Sequence, residues 1–252
     1  MIAPVVMSST PSDSPTVEGP TVSYNPLPAV VDWLLGAIIA LGGLIFAAGG
    51  TVLVFGVDRE MLEQAVAEEP MTVTIGTTEL TDAETLEVTD AVISWAGPGL
   101  LVTGFGMIIV AIGYIVMRRR AHRHAQTGEP VDSYGAFAVL GAVITAVLSF
   151  IPVSSALGGA VAGYLEQGGS GRTVSVGALA GVLPLLPILV VGLFSLGGLV
   201  TGLLAIEQDG NAVFTGITLF VSLAVTAAIG TALGALGGYL GGWFAERQTT
   251  AN

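Results

Sequence analysis

Two residue types are missing from this chain: there is no cysteine and no lysine. Without thiols, disulfides, cysteine-ligated zinc or iron-sulfur centres, thiol nucleophiles and a cysteine lipid anchor are all excluded. Charge is scarce as well, at 10% of 252 residues, where a soluble domain carries about 25%. Only two histidines are present, and aromatic residues make up 7%. What remains is 52% hydrophobic, built from Ala, Val, Leu and Ile with 36 glycines. That palette belongs to helices packed closely in lipid. The glycines follow no Gly-X-Y period, so collagen is excluded. The net charge of −12, with arginine as the only base, argues against a nucleic-acid partner.

Residues 1–32 read as a disordered cytoplasmic tail, because Pro4, Pro11, Pro15, Pro20, Pro26 and Pro28 interrupt any helical period. Its apolar start is short and lacks a basic flank, so it is not a signal peptide; Met7 offers an alternative initiator to Met1. Trp33–Gly56 is an uncharged run of 24 residues and Ala96–Met117 another of 22. Each is long enough to cross a hydrocarbon core of about 30 Å. After the second run come Arg118, Arg119, Arg120 and Arg123, four of the seven bases, which mark that side as cytoplasmic. Tyr134–Pro152 gives a third run. Val153–Leu165 is only 13 residues, leaving two topologies. Either this short helix crosses a thinned bilayer, or it dips in and turns back with Arg172 at a re-entrant tip. Six crossings, with five as the lower bound, place six of the seven arginines inside. Val174–Ile206 should break at Pro184 and Pro187, while Ala212–Phe244 has no proline and should either tilt steeply or end at the interface near Trp243.

Gly159–Leu165 and Gly234–Leu240 match at five of seven positions at an offset of 75. The offset also aligns Gly141 with Gly216 and Leu148 with Leu223. Gly230, Gly234, Gly238 and Gly242 recur every fourth residue, and Gly177 with Gly181 repeats the spacing. Gly159, Gly163, Gly177, Gly181, Gly230, Gly234, Gly238 and Gly242 are therefore expected at helix-packing faces, within the chain or between copies of it.

The segment 57–94 holds ten acids against Arg59, so it carries −9 of the net charge. Asp58–Glu69 reads as a helix ended by Pro70, Met71–Ile75 as a short strand, and Thr81 with Glu84 as a capping box opening a second helix. An external helical hairpin is expected. No calcium-loop spacing is present. Arg118, Arg119, Arg120 and Arg123 are expected to set topology and to meet anionic lipid headgroups. His122-x-His124 among arginines is a poor metal site, and no cofactor is expected.

Enzyme chemistry has little to work with. Ser170 lies in Gly-Gly-Ser-Gly, similar to the nucleophile motif of rhomboid proteases, but no histidine follows His124 to activate it. The expected spans contain no Asp, Glu, Arg or His, which argues against coupled transport. Passive flow of a small neutral solute is the alternative.

The absence of Lys and Cys and the acidic excess resemble haloarchaeal composition. Tyr134–Phe244, with SFIPVSSALGGAVAGYLEQ, VGALAGVLPLLP and ALGALGGYLGGWFAE, resembles a family of small haloarchaeal multipass membrane proteins of unknown function. The resemblance implies a membrane location and assigns no activity. The expectation is an all-α polytopic transmembrane helix bundle. A two-helix module at 33–125 is followed by a linker at 126–133, a four-helix glycine-rich domain at 134–246 and a tail at 247–252. The expected partners are the lipid bilayer and a second copy met through glycine faces. The expected setting is the cell membrane with both termini cytoplasmic, in a structural, scaffold or envelope-associated role.

Overall fold

A computed structural model describes residues 27–68, 73–75, 78–127, 131–166 and 170–250. The expectations for residues 1–26 and for Pro70 lie outside the described residues. Helix α1 (Ala29–Phe55) follows Pro28, whose fixed φ suits a position just outside a helix, and closes at Gly56. It begins four residues before Trp33, so the expected tail boundary at 32 is corrected and Asp32 lies within the helix. Helix α2 (Arg59–Glu68) and the antiparallel strands β1 (Thr74–Ile75) and β2 (Thr78–Glu79) follow. Arg59 ties α2 to the next helix through Glu87 at 3.3 Å.

Helix α3 (Asp82–Gln126) starts with the expected capping box: the Thr81 hydroxyl accepts from the Glu84 backbone N–H, and the Glu84 carboxylate accepts from the Thr81 N–H. The external helix and the second membrane run, expected as separate elements, form this one helix of 45 residues. Nothing between Ala83 and Gly97 stops a helix. Pro98 removes only one backbone donor, a loss that surrounding helices accommodate.

Helices α4 (Tyr134–Val147) and α5 (Ser154–Glu166) are 14 and 13 residues, about 21 and 20 Å long. The helix expected over Tyr134–Pro152 ends early, at Val147. Short turn bonds replace the helix after Val147: Ser149 N–H to Ala146, Ile151 N–H to Leu148, and Ser154 N–H to Ile151. Pro152 can donate no bond that would continue the ladder. Helix α6 (Ser170–Val182), a 3-10 turn at Leu183–Leu185 and α7 (Leu186–Ala205) run on from one another, with the break at Pro184 and Pro187 as expected. Helix α8 (Asp209–Thr250) is unbroken over 42 residues.

Four stretches, 29–55, 82–126, 171–205 and 209–248, are long and apolar enough to cross a membrane. α4 and α5 are not.

The close contacts sort the ends of the helices. At one end, called near, lie the start of α1, the end of α3, the mouth of the α4–α5 hairpin, the start of α6 and the end of α8. At the other, far end, Leu80, Val88, Leu203 and Ala212 form a cluster under Val73 and Ile75, and Asn211 donates to the Thr78 hydroxyl. In the near half α8 packs on α5 and α6; in the far half α7 packs on α3.

Candidate functional site: ionic clusters and glycine contacts at the near end

Asp32 on α1 is 4% exposed, and three successive turns of α3 converge on it. The Tyr114 hydroxyl donates to Oδ1, and Arg118 Nε and His122 Nε2 reach Oδ2, each at 2.8 Å. Residues 114, 118 and 122 are spaced four apart, so they share one helix face. Arg118 is itself only 6% exposed, and its Nη2 is buried with no hydrogen-bond partner among the described residues. An ion pair held this deep offsets its desolvation only when the remaining donors and acceptors are also bonded; here the hydroxyl and the imidazole supply those bonds to the carboxylate. The expectation that Arg118 meets lipid headgroups is corrected, because its guanidinium is committed to Asp32. Arg119, Arg120 and Arg123 remain exposed, with the Arg119 guanidinium over the Trp33 ring. His122 and His124 fall on different faces, and among the described residues no group of three or more metal-ligating side chains is assembled.

A second cluster closes the mouth of the α4–α5 hairpin. Glu166, at the end of α5, is fully buried and accepts from Arg172 Nε at 2.5 Å. Arg172 also reaches Asp132 at 2.9 Å and lies over the Tyr134 ring, whose hydroxyl donates to Ser175. Arg172 therefore does not sit at a re-entrant tip. It binds the hairpin's two open ends to α6, and the tip lies at the opposite end, around Phe150. Among the described residues, Glu166 Oε2 and the Ser133 hydroxyl are buried without partners.

All eight glycines singled out from the sequence meet neighbouring helices of the same chain. A Cβ on Gly159 would run into the Gly234 carbonyl, and one on Gly163 into that of Gly238. The two copies of the internal repeat thus face each other in parallel, in register at their own offset of 75 residues. On its other side α8 meets α6: Gly234 faces Gly177 and Gly181, Gly238 faces Thr173 and Gly177, Gly230 faces Leu185, and Gly242 faces Thr173. Each of these faces is occupied by a neighbouring helix of the same chain. A second row, Gly237 and Gly241, faces the carbonyls of Ala156 and Ala160.

A seam missed in the sequence joins α1 to α3. Gly36, Gly43 and Gly50 meet Ile115, Gly104 and Gly97, with a Gly43 Cβ placed 2.8 Å from the Gly104 carbonyl. On α3 the positions 97, 104, 111 and 118 are all buried. The signal was a small residue at every seventh position, the spacing of a helix-pair seam. Asp32 carried its own signal, an acid immediately before the 24-residue uncharged run Trp33–Gly56.

Residues 135–244 match a family model described as a family of unknown function (DUF5518). The match covers α4 to α8 almost entirely, and so contains the Glu166–Arg172 pair, the hairpin and the α5–α8–α6 glycine contacts. The Asp32 cluster and the α1–α3 seam lie before it. Comparison with curated proteins and with solved structures finds no match.

Proposed function

We propose that the protein is a multipass integral membrane protein with a structural or scaffold role, not an enzyme, in the cytoplasmic membrane of a haloarchaeon. The observation that carries the reading is the division between surface and interior. The four long helices turn Leu, Ile, Val and Phe outward, with no more than 17% of any candidate span buried, while contacts between helices fall on glycine and alanine. That is the distribution expected where lipid surrounds the chain and close backbone approach drives association. Two shallow grooves, of about 380 and 340 Å³, are lined almost wholly by apolar side chains. They suit lipid chains.

In this reading the near end is cytoplasmic, because Arg118, Arg119, Arg120, Arg123, Arg172 and Arg247 all lie there. Four full crossings with a hairpin keep both termini on that side, as six crossings would. Arg119, Arg120 and Arg123 meet anionic headgroups. The test is single-cysteine labelling in this cysteine-free chain. An impermeant reagent should modify Asp209→Cys from outside intact cells and Gln126→Cys only after the cytoplasmic face is opened; the reverse pattern inverts the topology. Release of the protein by alkaline carbonate would sink the integral membrane reading itself.

A further inference from the structure

The helices do not occupy the two halves of the molecule equally. In the near half stand α1, α3, α4, α5, α6 and α8; in the far half, once the 3-10 turn at Leu183–Leu185 has passed α6 into α7, the apolar helices among the described residues are α1, α3, α7 and α8, with the short polar α2 beside the far end of α3. The α4–α5 hairpin accounts for the difference. Its arms of about 21 and 20 Å fall short of a core of about 30 Å.

The turn at its tip has the chemistry of a segment that stops in hydrocarbon. Leu148-Ser-Phe-Ile-Pro-Val153 contains no charge, and Phe150 is 78% exposed, with Val147 and Val153 also outward. The connections that follow α1, α3 and α7 each carry charge, at Asp58, Asp132 and Glu207. A tip emerging into far-side water would expose Phe150 there. Beyond the level of the tip, α8 leaves Val213, Phe214, Ile217, Phe220, Val221 and Val225 exposed, side chains suited to acyl or isoprenoid chains.

The geometry points to a one-sided wedge: the half-length α4–α5 hairpin gives the protein a larger cross-section in the near-end leaflet, so that it gathers where that leaflet is convex. This rests on the membrane reading above and adds a physical activity to it, the sensing and support of curvature. Two extra helices in one leaflet displace lipid there without displacing it opposite. The bilayer relieves that mismatch by expanding the near leaflet, which is bending.

The test reconstitutes full-length Gln126→Cys protein into vesicles of mixed size and reads protein per membrane area, vesicle by vesicle, by fluorescence. Density should rise roughly twofold or more from vesicles of about 200 nm to about 40 nm, and in the small vesicles position 126 should react with an impermeant reagent from outside. Equal density at all sizes, or sorting with random orientation, overturns the wedge. A second variant, Phe150→Cys, checks the depth: it should resist impermeant reagents on both sides, and labelling from far-end water would mean that the hairpin crosses. Failure to incorporate into vesicles at all would instead defeat the membrane reading, so the two failures are distinguishable.

Discussion

The Asp32 carboxylate is held by three donors from one face of α3, and it is the acceptor that Arg118 requires in order to be buried. Removing one member of a buried pair costs about 3–5 kcal/mol, because the other charge is left without compensation. Asp32→Ala should therefore lower the detergent-solubilised protein's thermal midpoint sharply, whereas Asp32→Ala combined with Arg118→Leu should recover most of the loss. A double variant as unstable as the single one would show that the cluster acts through packing alone. At the opposite end of α3, the Thr81 backbone N–H and hydroxyl hold the Glu84 carboxyl below its ordinary range. Its folded value is depressed, so the unfolded chain binds the proton more readily. The cap's contribution is then fully present above the ordinary carboxylate pKa and is lost as pH falls through the depressed one. Glu84→Gln should flatten the pH dependence of exchange at the first amides of α3, measured by hydrogen exchange between about pH 3 and 6. An unchanged slope would assign that dependence to other carboxylates. Glu207 has φ of 60° in the turn between α7 and α8, a left-handed conformation that glycine adopts without strain. Glu207→Gly should hold or raise stability, by up to about 1 kcal/mol.

At the scale of helices, small residues decide which faces meet. Gly163 has the Gly238 carbonyl where a Cβ would stand, while a Cβ on Gly113 of α3 would meet nothing within 4 Å among the described residues. Gly163→Ala should lower stability by about 1–3 kcal/mol, as overpacking does, and Gly113→Ala should be neutral or raise it by about 0.5–1 kcal/mol through helix propensity. Thermal scans of both in one detergent check the contrast, and equal effects would remove close packing as the explanation. The sequence made much of this scale legible. Uncharged runs located the long helices, the Thr81–Glu84 spacing located the start of α3, and Pro184 with Pro187 located the break before α7. The four-residue glycine spacing on α8 pointed to a packing face, although only tertiary contacts could say that α5 and α6 take it up. The length of α4 was not legible, because an apolar turn at 148–153 has the composition of a helix; what ends the helix is bonding geometry around Pro152. The ion pairs were hidden for a different reason. Asp32 and Arg118 lie 86 positions apart, and each alone reads as a charge flanking a membrane run.

At the scale of the molecule, the two stretches that looked like separate modules share α3. Its near half meets α1 along a glycine seam, and its far half covers α7, where a Cβ on Gly198 would approach the Ala91 carbonyl at 2.7 Å and one on Gly202 the Cα of Val88 at 2.8 Å. Trp95 adds a tilted ring contact with Phe194 across the same interface. The region that matches the family model begins at residue 135, so it lacks the helix that covers this face of α7. Association in lipid depends on such close backbone approach, with no help from apolar burial, and it forms between helices that are already inserted. Two fragments, 1–128 and 129–252, each retaining whole helices, should therefore find each other when co-expressed, and an affinity tag on the first should recover the second from detergent extracts. Gly198→Leu in the second fragment places a branched side chain against the backbone of α3 and should abolish recovery, while Gly210→Leu, where a Cβ meets nothing within 4 Å, should leave it intact. Recovery that survives Gly198→Leu would show that the α3–α7 face is dispensable and that the matched region stands as an independent unit.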